Sequence, residues 1–230
     1  MAVRALKAIV ALCLVALGAE AGAQSVTWTD IVGATNFSGT LTKAGSSDAW
    51  DASAIGRHAL TGIGYMECTV QETATERSCG FARTVWTRTP SDLTYGFVLG
   101  ADGHLYIYEK GILKQEVGGY ATADILRVTL TSTGATFSRN GTEVATSSIV
   151  PTYPVYALAS LKTPGATVTG VTVSGTQVER VVWTRTVKTN SVGSSVWYSR
   201  TAITNAWDAG ATRPGVSARP DTSSSLRVRR

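Results

Sequence analysis

Histidine is almost missing from this chain: His58 and His104 are the only two, and neither stands at metal-ligand spacing from the other or from a cysteine. A zinc-type site is therefore not expected, and general-base chemistry has only two imidazoles to draw on. Cysteine is also sparse, limited to Cys13, Cys68 and Cys79. Outside the first residues no run approaches the ~20 apolar residues that span a bilayer, so no transmembrane segment is expected. Nothing after residue 23 keeps a helical 3.6-residue period over a useful length. The sequence contains no G-x-S-x-G and no H-E-x-x-H, and Gly62-Ile63-Gly64 is followed by no helix that would make it a phosphate loop. Glu67, Glu72 and Glu76 are the nearest carboxylate cluster, but they straddle an expected hairpin and read as solvated charges. These absences lead to an expectation of no enzyme activity, no cofactor and no metal.

What is present begins with a leader. Arg4 and Lys7 precede a short apolar run over 8–19, and Ala21-Gly22-Ala23 fits an A-x-A cleavage site, which makes 1–23 a signal peptide and Gln24 the first mature residue. Cys13 lies inside the apolar run behind Leu12, where lipid attachment needs a small residue. The mature chain is expected to be exported, either secreted or held at the cell surface. The formal net charge of +5 sits at the two ends. The tail 213–230 carries Arg213, Arg219, Arg227, Arg229 and Arg230 against Asp221, the leader carries a small positive excess, and 24–212 is near neutral. A nucleic-acid footprint needs a basic face on the domain itself, so no nucleic-acid partner is expected.

Export places Cys68 and Cys79 in an oxidising compartment. They flank a turn at Glu72-Thr73-Ala74-Thr75, and two antiparallel strands joined there bring them opposite one another. A cross-strand disulfide is expected, with a pair of buried free thiols as the alternative.

From 26 to 175 short runs rich in Val, Ile, Thr and Tyr alternate with Gly, Asn and Asp turns, which reads as all-β. Leu93-Thr94-Tyr95-Gly96-Phe97-Val98-Leu99, then Gly100-Ala101-Asp102-Gly103, then His104-Leu105-Tyr106-Ile107-Tyr108-Glu109 is strand, turn and strand. Asn140-Gly141 is a hairpin signal, because both residues tolerate positive φ. About a dozen short strands suit one β-sandwich. Alternation assigns the faces: Leu126, Val128 and Leu130 inward with Arg127 and Thr129 outward, and Leu105 and Ile107 inward with His104, Tyr106 and Tyr108 outward.

The chain also echoes itself. Val26-Thr27-Trp28-Thr29 and Trp50-Asp51-Ala52 return as Val181-Val182-Trp183-Thr184 and Trp207-Asp208-Ala209. A fixed-period echo marks tandem copies of one module. The organisation expected is a β-sandwich over 24–176, a truncated start of a second copy over 177–212, and a basic tail over 213–230 that is disordered or read out of frame.

Gly64-Tyr65-Met66-Glu67 with Thr69-Val70, Gly103-His104-Leu105-Tyr106-Ile107-Tyr108-Glu109, Asp124-Ile125-Leu126-Arg127-Val128 and Ser138-Arg139-Asn140-Gly141 occur in that order. The set resembles the concanavalin A-like lectin/glucanase (LamG- and SPRY-like) jelly-roll modules of secreted bacterial proteins, over about 27–175 and again from 181. Two positions depart from the pattern: Cys68 stands where an aromatic residue is usual, and Ala123 stands before Asp124 where a glycine is usual. The resemblance implies a curved sandwich of two antiparallel sheets, often with glycan or protein binding. The E-x-D-x-x-E or E-x-D-x-E spacing of the related glucanases does not occur here.

A sugar site needs aromatic faces for the C–H surface of the ring and a few polar groups for hydroxyls. Trp86, Tyr106, Tyr108 and Arg127 are the candidate ligand-binding residues, expected on one sheet face with Trp86 on a nearby loop. Trp50, Tyr153, Tyr156 and His104 are further possibilities. Trp28 and Trp50 recur in the second copy and read as core packing. The function expected is a non-catalytic binding module of an exported protein that recognises a glycan or a cell-surface protein. The alternative is a structural spacer in a tandem-repeat surface protein.

Overall fold

The structure, a computed structural model, describes residues 22–180 and, after them, the backbone of three further strands; most of the expected signal peptide lies outside the described residues. The chain opens with β1 (Gln24–Ser25), β2 (Trp28–Val32), β3 (Ala34–Phe37) and β4 (Thr40–Lys43). An 18-residue strand, β5 (Ala52–Thr69), follows. Then come β6 (Arg77–Ala82), β7 (Leu93–Leu99), β8 (His104–Glu109), β9 (Ile112–Gly119), β10 (Ile125–Leu130), β11 (Ala135–Arg139), β12 (Thr142–Ser147), β13 (Val155–Leu161) and β14 (Thr167–Glu179).

β5 is the element the two sheets share. Its first half pairs with β2 and β13, and the first sheet continues through β6, β7 and β8 to β9. Its second half pairs with β10 and β14, and the second sheet continues through β11 to β12. Every one of these pairings is antiparallel. The result is the all-β jelly-roll sandwich expected from the sequence.

The core between the sheets follows the expected alternation. Leu126, Val128 and Leu130 of the second sheet and Leu105 and Ile107 of the first are all buried. Phe97 of β7 and Phe137 of β11 meet edge to face across the two sheets, with ring centroids 5.5 Å apart, a favoured aromatic geometry. Asn140 and Gly141 hold φ of 51° and 78°, as the hairpin requires.

Cys68 and Cys79 are bonded, but not across a hairpin. Cys68 is on the second half of β5 and Cys79 is on β6, so the bond ties one sheet to the other. Residues 70–76 are a crossing between sheets. Its shape is set by Arg77, buried to 1% exposure, whose guanidinium donates to the Glu72 and Thr75 carbonyls and faces the Glu72 carboxylate at 3.3 Å. The three glutamates are accordingly not free solvated charges. Glu67 pairs with Arg127, Glu72 with Arg77 and Glu76 with Lys162.

Beyond Arg180, the backbone of β15 (Trp183–Asn190), β16 (Gly193–Arg200) and β17 (Ser225–Val228) forms a separate three-stranded antiparallel sheet. β17 falls in the segment expected to be a disordered basic tail and pairs with Val196–Ser199. The rest of that tail, and the Trp207 echo, lie outside the described residues.

Candidate functional site: the outer face of the first sheet

In the first sheet both faces are covered. β6 and most of β7 and β13 are buried at every position. The residues turned away from the inter-sheet core make a second apolar cluster of Ile55, Ala82, Leu93, Val98 and Leu158, against which Trp50, Val85, Tyr106, Tyr108 and Tyr156 pack. Strand register orders this face into rows. One runs Ser53, Ser160, Ser78, Val98, Tyr106 across β5, β13, β6, β7 and β8. The next runs Ile55, Leu158, Gly80, Gly96, Tyr108. Gly80 and Gly96 are directly opposed in register, and Leu93 lies over both. A Cβ on Gly96 would stand 2.9 Å from the Leu93 side chain, inside van der Waals contact.

Tyr106, Tyr156 and Trp50 are each held by a device of their own. The Tyr106 hydroxyl donates to Asp102 Oδ2 at 2.8 Å, and Asp102 Oδ1 accepts the His104 amide at 3.0 Å. Those two bonds hold the Asp102 carboxyl below its usual range, and the bond to Asp102 pushes Tyr106 up to about 12. Tyr156 lies under the Arg180 guanidinium, 5.7 Å from the ring centroid. Trp50 rides on a loop organised by Lys43. That side chain is fully buried, and its Nζ donates to the carbonyls of Ala49 and Lys162 and to Asp51 Oδ1, each at 2.5 Å. The Lys43 contact in turn lowers the Asp51 carboxyl.

Trp86 stands at the rim, 83% exposed. Its loop is pinned from within, because Asp92 Oδ2 accepts the backbone N–H groups of Trp86, Thr87 and Arg88 at 3.1, 2.9 and 2.5 Å. Arg88, at a left-handed φ of 62°, reaches across to the Asp30 carbonyl at 2.7 Å and to Ser53 Oγ at 3.4 Å. Asp30 sits at a bulge in β2 and pairs with Arg180 at 2.5 Å. Bulges at a sheet edge re-aim side chains in this way.

The structure therefore brings Tyr106 and Tyr108 together on one face, with Trp86 on the loop that leads into β7. It does not bring Arg127 to them. Arg127 is on β10 of the opposite sheet, stacked 4.1 Å from the Tyr65 ring and paired with Glu67 at 2.5 Å. Face parity was read correctly for both, but parity does not say which sheet a strand joins. Trp50 is a second correction, since it packs on the outer cluster, whereas Trp28 is in the inter-sheet core. Tyr153 likewise packs against the core. The chemistry-bearing residues missed in the sequence are Arg88 and the serine row; alternation from Leu158 is the signal that marks Ser160, and Tyr156, already named as a further possibility, does lie on this face.

A separate hollow of about 510 Å³ opens on the second sheet, lined by Ile63, Tyr65, Thr129, Thr131 and Ser132 among others. None of the expected binding residues lines it.

The two-sheet arrangement is that of the concanavalin A-like jelly roll. Among solved structures, the chain is similar to the TRIM65 PSpry domain (15% identity, 65% of this chain and 88% of that one, TM-score 0.46). It is similar to the exoplasmic/lumenal domain of VIP36 in its Ca2+/Man3GlcNAc-bound form (9% identity, 66% and 85%, TM-score 0.49). It is also similar to the β-glucanase of Bacillus licheniformis (14% identity, 63% and 82%, TM-score 0.44). No protein-family model and no curated protein sequence matches the chain. The expectation that the chain is not an enzyme is corrected by these similarities. They include the glucanase, and sialidases and an alginate lyase besides.

Proposed function

We propose that this protein is a saccharide-binding module of an exported protein, and that the outer face of the first sheet is its binding surface. The observation that carries the reading is the set of rings on that face. Tyr106, Tyr108, Tyr156 and Trp50 are half-buried around the outer cluster, and Trp86 projects from a loop whose backbone Asp92 fixes. Rings held in place present flat apolar area at little entropic cost. A sugar ring stacks its C–H face on such a surface, and the Arg88 guanidinium supplies hydrogen bonds to its oxygens. The leader over 1–23 supports export, and N-terminal sequencing of the secreted product should begin at Gln24.

The test is a glycan array probed with the mature chain and its Tyr106→Ala and Trp86→Ala variants. Binding by the wild type that falls at least about tenfold in either variant, with circular dichroism unchanged, supports the reading. Binding that neither variant weakens removes this face as the site.

A further inference from the structure

We infer that the ligand of this face is an acidic saccharide, one bearing a carboxylate or a sulfate ester, and that Arg83 and Arg88 bind its anionic group beside Trp86. The inference rests on the saccharide-binding reading and adds the charge class of the ligand.

The argument starts from which cations are already neutralised. Lys43 holds Asp51, Arg57 holds Glu179, Arg77 holds Glu72, Arg127 holds Glu67 and Arg180 holds Asp30. Arg83 and Arg88, like Lys110 and Arg139, have no such carboxylate partner within 4.0 Å among the described residues. The only recorded partners of the Arg88 guanidinium are a carbonyl and a hydroxyl. These two unneutralised arginines lie within one six-residue stretch, Arg83-Thr84-Val85-Trp86-Thr87-Arg88, and flank its exposed tryptophan. A guanidinium fork matches the geometry of carboxylate or sulfate oxygens, and an ammonium does not.

A second observation lies beside Arg88. Ser53, Ser160 and Ser78 are buried neighbours on β5, β13 and β6, and the Oγ atoms of Ser78 and Ser160 have no hydrogen-bond partner among the described residues. Buried hydroxyls are rarely left so. Arg88 thus stands at one end of a row of buried serines beneath this face, two of whose hydroxyls the protein leaves unpartnered. The one carboxylate within the loop, Asp92, is turned inward onto three backbone N–H groups, so it does not oppose an anion at the rim.

The experiment measures binding of the mature chain to alginate, polygalacturonate, dextran sulfate and unmodified dextran, at low and high salt. Variants Arg83→Gln, Arg88→Gln, Arg139→Gln and Tyr106→Ala are run alongside. The expected result is binding to an acidic polymer and not to dextran, weakened about tenfold by either loop variant and untouched by Arg139→Gln on the second sheet. Arg83 is exposed, so its variant keeps the fold if Arg88→Gln does not. Alginate and polygalacturonate against dextran sulfate separates carboxylate from sulfate. Three outcomes overturn the inference: dextran bound as well as the acidic polymers, loop variants without effect, or Arg139→Gln weakening binding equally, which marks diffuse charge attraction. In each, loss of binding in Tyr106→Ala leaves the face reading standing. Binding to none of the four polymers, with none on the array, overturns both.

Discussion

Cys68 and Cys79 are 11 residues apart in sequence and belong to facing sheets, with their Cα atoms 7.1 Å apart. The bond closes a short loop whose two ends would otherwise be free to separate when the sandwich opens. The chain-entropy account gives about 3 kcal/mol for a loop of this length. Urea unfolding of the oxidised and reduced protein should differ by about that amount, with the oxidised form more stable. Coincident unfolding curves would show that the bond constrains nothing.

Leu126 and Arg127 are neighbours with opposite fates, one buried between the sheets and the other stacked on Tyr65 at the surface. Leu126→Ala should cost about 2–5 kcal/mol, since it removes core volume that cannot fully collapse. Arg127→Ala should cost far less, because its pair with Glu67 is partly exposed, and it should leave saccharide binding unchanged. Chemical denaturation and a binding assay on the same two variants check both statements.

Tyr106 titrates near 12 because its hydroxyl donates to the Asp102 carboxylate. A tyrosine whose folded value is raised contributes stability that is complete below its ordinary value near 10 and is lost as pH climbs towards 12. Replacing Asp102 with Asn keeps an acceptor and removes the charge. Ultraviolet titration of Asp102→Asn should then show one tyrosine ionising closer to 10 than in the wild type. An unchanged titration would mean that Asp102 does not hold Tyr106.

Asp51 runs in the opposite direction. Its carboxyl is lowered, first of all by the hydrogen bond from Lys43, so its contribution is present above its ordinary value near 4 and is lost as pH falls further. Asp51→Asn should flatten the loss of stability below about pH 4. Tryptophan emission should report a loosened Trp50 loop in the same variant. An acid limb identical to the wild type would contradict the role given to Lys43.

The alternation of Leu126, Val128 and Leu130 made one face of β10 legible, and the Leu105 and Ile107 pattern did the same for β8. The partner sheet was not legible, because β5 changes sheets halfway along its 18 residues and periodicity continues through the change. That one element explains both geometric errors. It carries Cys68 into the sheet facing Cys79, and it draws Arg127 away from Tyr106. Lys43 was missed although it stands in phase with buried Leu41. Arg77 was missed although it stands in phase with Cys79 and Phe81. A cation on an apolar face looks like a break in the pattern until its acceptors are found, and here those acceptors are backbone carbonyls and carboxylates of adjoining loops, with the Lys162 carbonyl the one distant partner.

The most direct test of the account is to see which surface a saccharide touches. Backbone amide resonances of the mature protein, titrated with the oligosaccharide that binds best on the array, should shift at Ser78, Gly80, Gly96, Tyr106, Tyr108 and Trp86. Those around Tyr65, Thr129 and Ser132 on the other sheet should stay in place. Shifts confined to the hollow on the second sheet, or no shifts with any saccharide, would contradict it, and a spacer role would then be the better reading.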